Sequence, residues 1–118
     1  MRNTIKQHQD FLATENDPSA RSAYFLIRAK NARFPDDPRV GFTATKRTFR
    51  FAVDRNRAKR LLRDWVRFNQ ELMLPQYDYI FIAYANILNA TRDAGRTAMA
   101  KALRHIMRVN NEKNKQNS

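Results

Sequence analysis

The chain of 118 residues contains no cysteine. That excludes disulfides, thiolate metal sites and cysteine nucleophiles, and leaves the fold to packing alone. Glycine is nearly absent too, at two residues, so there is no glycine-rich loop to cradle a phosphate. No apolar run approaches the roughly 20 residues of a membrane span. The opening MRNTIKQHQDF lacks the continuous apolar stretch of a secretory signal, so the cytoplasm is the expected compartment. Acidic residues are also scarce: 11 Asp and Glu face 23 Lys and Arg, a net charge of +12. Such an imbalance points to a polyanionic partner.

Hydrophobic residues make up 42% of the chain, with eight Phe, four Tyr and one Trp among them. That supplies one ordinary core and argues against wholesale disorder. A single domain is therefore expected over residues 1–109. The polar tail NNEKNKQNS, 110–118, has nothing to bury and is expected to be disordered.

Along the chain, Thr4–Ala13 reads as a short helix with Ile5, His8, Phe11 and Leu12 on one side. NDPSA breaks it, because Asn, Asp, Pro and Ser favour turns. Ala23–Ala29 is aromatic and branched, as a strand should be. KNARFPDDP reads as a loop. Arg39–Thr45 sets Val40, Phe42 and Ala44 against small or polar neighbours, the pattern of a half-buried strand. Lys46–Phe51 is a basic connection that has room for an extra strand. A helix then runs to about Gln70, closed by Pro75, which disfavours helical geometry in the residue before it. Tyr77–Tyr84 is the clearest strand. Thr91–Val109 places Ala94, Ala98, Ala102, Leu103, Ile106 and Met107 at helical spacing. The order α-β-β-(β)-α-β-α indicates an α+β fold: a two-layer α-β sandwich with about four strands and helices packed on them.

The excess charge is concentrated. Residues 39–68 hold ten Lys and Arg against two Asp, and so carry eight of the twelve net charges. On a wheel at roughly 100° per residue with Arg55 at zero, Lys59, Arg63, Asn56, Arg67 and Arg60 span about 0–140°. Phe68, Leu61, Trp65, Ala58, Leu62 and Val66 span about 220–380°. One face anchors the helix and the other presents cations. Arg55, Lys59, Arg63 and Arg67 follow one another at i+4, where like charges repel by a few tenths of a kcal/mol per pair. A phosphate backbone relieves that repulsion, and arginine's planar fork suits phosphate oxygens or base stacking. Asn56 can donate to and accept from a 2′-hydroxyl or a base edge. Pairing of Arg57 and Arg60 with Asp54 and Asp64 would neutralise a minority of these bases. A basic amphipathic helix can also lie on an anionic membrane, which burial of Trp65 and the leucines disfavours.

No protein active site is visible. His8 and His105 have no partner at metal or acid–base spacing. Asp36 and Asp37 sit in a Pro-flanked turn rather than a two-metal site.

RVGFTATKR, Arg39–Arg47, followed by AVDRNRAKRLLRDW, Ala52–Trp65, resembles the protein subunit of bacterial ribonuclease P. Thr45, Lys46 and Arg47 match that family's Ser/Thr-Lys-Lys/Arg step. Arg55, Asn56, Arg57, Lys59 and Arg60 match its Arg-Asn-Arg helix, and the likeness runs over roughly Ile5–Met107. The resemblance implies a left-handed βαβ crossover, against the usual right-handed preference. It implies docking of Lys46, Arg47, Arg55, Asn56, Arg57, Lys59, Arg60, Arg63 and Arg67 on a catalytic RNA subunit. A cleft holding the single-stranded 5′ leader of precursor tRNA, with Phe11 stacking on bases and Thr43 and Thr45 lining the floor, is implied as well. So is a monomeric protein in a 1:1 ribonucleoprotein, with Mg²⁺ held mainly by RNA and substrate phosphates, no metal site in the protein, and tRNA 5′ maturation carried out by the RNA. TFRF, residues 48–51, departs from the family's glycine-containing connection, and Glu15 stands where a second aromatic is usual. A general RNA-binding module of ribosomal or assembly type, and a nuclease working without RNA, are the competing readings.

Overall fold

A computed structural model describes residues 3–4, 18–32, 34 and 39–116. The elements are β1 (Asn3–Thr4), β2 (Ser19–Arg21), β3 (Phe25–Asn31), β4 (Arg39–Thr43), α1 (Ala52–Phe68), β5 (Tyr77–Ala83) and α2 (Arg92–Gln116), with 3₁₀ turns at Gln70–Leu72 and Ala85–Asn89. The strands form one sheet in the order β1-β4-β5-β3-β2. β5 is antiparallel to β3 and parallel to β4, so α1 is the crossover that joins two parallel neighbours.

The β5 register, Phe42 opposite Phe81 and Phe81 opposite Ile27, aligns Phe25, Ile27, Val40, Phe42, Tyr79 and Phe81 on one face. Strand alternation sends Leu26, Arg28, Thr43, Asp78, Ile80 and Ile82 to the other. The first face is the core side. Phe42 stacks on Phe81 at 5.5 Å and Tyr79 on Phe81 at 6.1 Å. The α1 residues Ala58, Leu62, Trp65 and Val66 are buried there with Met99, Leu103 and Ile106 of α2. Trp65, fully buried, meets Tyr24 and Phe25 at 6.0 and 6.1 Å between ring centroids. Both helices thus cover one face of the sheet, the two-layer sandwich expected.

Several boundaries move for local reasons. β4 ends at Thr43 rather than Thr45, because Thr45 Oγ1 accepts the Thr48 N–H at 3.2 Å and its carbonyl accepts the Phe49 N–H at 2.9 Å. That closes a turn over residues 46–48, so the connection holds no extra strand, and Phe49 drops into the core. α1 stops at Phe68: the Asn69 side chain donates to the carbonyls of Trp65 at 2.9 Å and Arg96 at 3.0 Å, pinning the helix end to α2. β3 starts two residues later than expected, and Ser19–Arg21, whose first two residues fall in the breaker NDPSA, pairs with it as an edge strand. α2 continues as a helix past Val109 to Gln116, where the sequence suggested a structureless tail; just beyond the apolar stripe the Tyr77 hydroxyl donates to Asn110 Oδ1 at 2.8 Å. Thr4, expected to open a helix, pairs in parallel with Val40; the rest of that stretch lies outside the described residues.

Candidate nucleic-acid interface

Each cation on α1 is positioned by the burial of its neighbours. Ala58, Leu62, Trp65 and Val66 lock the helix against the sheet, leaving Asn56, Arg57, Arg60, Arg63 and Arg67 exposed. Asn56, Arg60, Arg63 and Arg67 lie within about 60° of one another on the wheel, and Arg57 adjoins them on the α2 side. The crest is therefore not the i+4 row that begins at Arg55. Arg55 and Lys59 are half-buried. The Arg55 guanidinium donates from Nη1 to the carbonyls of Phe49 at 3.0 Å and Arg50 at 3.2 Å. It braces the loop entering α1, which has no side-chain cap at Phe51. Arg63 lies over the Phe42 ring at 5.5 Å, which ties the β4 side of the crest to the sheet.

The two acids in this segment do not neutralise the crest. Asp64 turns to α2 and accepts two hydrogen bonds from Arg96, at 3.2 and 3.1 Å. Among the described residues no ion pair joins Asp54 or Asp64 to Arg57 or Arg60. The crest is an array of guanidinium groups around one amide, carried on a helix whose other face is buried, and its forks suit bidentate contacts with phosphate oxygens.

Lys46 and Arg47 are exposed on the turn at 46–48. The Thr45 hydroxyl is committed to that turn, donating to Thr48 Oγ1 at 3.0 Å. Thr43 is half-buried beside Ile82 in the β4–β5 register, on the sheet face away from both helices. That face also carries exposed Arg28, so it combines an apolar floor with a cation. Thr43 and Thr45 thus do not share one strand surface. Phe11, His8, Asp36 and Asp37 lie outside the described residues. His105 is exposed on α2, and among the described residues no group of three or more His, Asp or Glu side chains is placed to share a metal ion.

Sequence reasoning placed Phe68 on the apolar face, yet it is 58% exposed with the Arg96 guanidinium 4.2 Å above its ring. It also passed over the cations of α2. Their signal was the polar face left when the apolar stripe of that helix was assigned.

A family model described as Ribonuclease P matches residues 1–107. A ribonuclease P protein component from Brucella suis is 32% identical over 114 residues, covering 85% of this chain and 80% of that relative. One from Caulobacter vibrioides is 45% identical over 82 residues, covering 67% of this chain and 54% of that protein. In fold, the chain matches the Staphylococcus aureus RNase P protein with a TM-score of 0.67 at 21% identity, over 88% of this chain and 94% of that one. The Thermotoga maritima RNase P protein superposes with a TM-score of 0.60 at 19% identity, over 72% and 79% of the two chains. No helix among the described residues is long and apolar enough to cross a membrane. A basic crest on a two-layer sandwich, and a sequence match that spans nearly all of the domain, lead to one conclusion: the chain belongs to the ribonuclease P protein family.

Proposed function

We infer that the chain is the non-catalytic half of ribonuclease P, docking through α1 on a catalytic RNA and steadying precursor tRNA while the RNA removes the 5′ leader. The observation that carries this is the crest of Arg57, Arg60, Arg63 and Arg67, which forms no ion pair among the described residues, on a helix whose opposite face is buried. Phosphates are the counterions that such an array lacks. Arg55 contributes by holding the entering loop, so that Lys46 and Arg47 extend the cationic surface.

The leader would cross the sheet face away from the helices, where Thr43, Ile80, Ile82 and Arg28 lie, with Phe11 stacking on its bases. Mg²⁺ fits the RNA better than this protein surface: the crest offers guanidinium groups and a single amide oxygen, whereas Mg²⁺ takes several hard oxygen donors. The protein's contribution is charge neutralisation between two RNAs and added affinity for substrate, in a cytoplasmic 1:1 complex.

Reconstitution with a bacterial ribonuclease P RNA at low Mg²⁺, on precursors with and without a leader, tests the reading. Cleavage should rise on adding the protein, more so when the leader is present. RNA binding with no effect on cleavage would make the chain a general RNA-binding module. Cleavage by the protein alone would overturn the reading.

A further inference from the structure

A second basic surface lies beyond the crest. The C-terminal turn of α1 and the outer side of α2 enclose a groove of about 950 Å³, whose lining includes Phe68, Arg96, Lys101, Arg104 and Arg108. Lys101, Arg104 and Arg108 follow at i+3 and i+4, a stripe about 10 Å long. Among the described residues none of the three forms an ion pair, and all are exposed. At the α1 end stands Phe68, 58% exposed. Arg96 covers it at 4.2 Å and is itself held by two hydrogen bonds to Asp64. Asp64, the acid that leaves the crest uncompensated, thus holds the Arg96 guanidinium over the Phe68 ring beside a row of cations without ion pairs among the described residues.

We propose that this groove binds a single-stranded segment of the same RNA that docks on α1, one base stacking on the Phe68–Arg96 platform and the backbone running along Lys101, Arg104 and Arg108. The proposal rests on the RNA-docking reading of the crest, with which the groove is continuous: Arg67 belongs to the crest and Phe68, the next residue, to the groove. A paired base has no free face for a side chain, whereas an unpaired base stacks on an aromatic or guanidinium plane. The volume lies within the range that holds a small organic ligand. A second copy of this chain would set the same cations against one another. An acidic peptide would satisfy the cations without needing the platform.

The test is fluorescence anisotropy of the full chain with labelled ten-nucleotide oligouridine and oligoadenosine, and with a full-length ribonuclease P RNA. F68A should weaken oligonucleotide binding by about 5- to 150-fold, the range for losing one base–aromatic stack, and F68W should restore it. Asp64→Asn, which frees Arg96, should weaken it in the same direction. Arg104→Ala with Arg108→Ala should lower the log–log salt slope by about 1.4, at roughly 0.7 per phosphate on a single strand. F68A should also weaken binding of the full-length RNA. Full binding by F68L, or equal losses on a duplex of the same length, would overturn the proposal. So would loss of a dimer on sedimentation of F68A, which would assign the patch to self-association. If R57A with R60A leaves the affinity for full-length RNA unchanged while F68A lowers it, the reading of the crest fails and the groove stands. Unaltered oligonucleotide binding by F68A with the crest effect intact sinks the groove alone.

Discussion

Replacing Gly95 by alanine sets two effects against each other. Helix propensity favours the change by up to about 1 kcal/mol, since glycine is the poorer helix former. Gly95 has an ordinary backbone conformation, with no positive φ to protect. What opposes the change is Trp65. A Cβ at this position would lie 2.5 Å from Trp65 Nε1 and closer still to Cε2 and Cζ2. The indole cannot retreat: it is fully buried, with Tyr24 and Phe25 at about 6 Å between ring centroids. Carbon contacts want 3.5–4.0 Å, so α2 must move outward by more than about 1 Å, loosening Met99, Ala102 and Leu103. Overpacking of this kind costs about 1–3 kcal/mol even after adjustment. The clash is with a ring that has nowhere to go, so the upper part of that range applies and the net loss is about 2 kcal/mol. For a chain of this size that lowers Tm by roughly 8 °C. Thermal unfolding followed by circular dichroism reads the shift, and Trp65, the one tryptophan of the chain, reports the packing by its emission. In a double-mutant cycle with Trp65→Phe, the coupling should exceed about 1 kcal/mol. A Gly95→Ala protein more stable than the parent, as propensity alone would give, would show that Trp65 does not restrain this position.

Three other predictions concern docking, the leader and the helix end. Arg57→Ala with Arg60→Ala should reduce the salt slope for catalytic RNA by about 1.8, at roughly 0.9 per phosphate on duplex-like RNA, with no change in Tm; a slope equal to that of the parent would remove both residues from the interface. Phe11→Ala should weaken binding of a leader-bearing precursor by about 5- to 150-fold and leave a leaderless one unaffected, so equal losses on both would take Phe11 out of the cleft. Asn69→Ala removes donors to the Trp65 and Arg96 carbonyls at 2.9 and 3.0 Å and should cost about 2 kcal/mol in urea unfolding. A loss below about 0.5 kcal/mol would show that water replaces the amide there.

Much of the domain could be read along the chain. The apolar spacing of Ala58, Leu62, Trp65 and Val66 fixed which side of α1 is buried, because burial with a 3.6-residue period has one geometric solution. The aromatic run of β5 marked the central strand, and the basic motif before Trp65 marked the family. Less was legible where a single partner decides the outcome. β2 is three residues long and owes its existence to the β3 edge. Phe68 has the spacing of a core residue and ends in solvent, because α1 stops there and Asn69 turns the chain toward α2. Arg55 looked like the start of the cationic row and is spent on the carbonyls of its own entering loop.

Local pattern alone dictates a helix with one cationic and one apolar face and an α+β sandwich, and the paired basic motifs mark the family. Periodicity and composition are local properties, and they survive whatever the helix packs against. Tertiary structure decided which cations stay free. Asp64 and Arg96 lie 32 positions apart and meet because Gly95 lets α2 close on Trp65. That contact takes the acid away from the crest and sets a guanidinium over Phe68, an outcome that depends on how two helices pack and is written in neither helix alone.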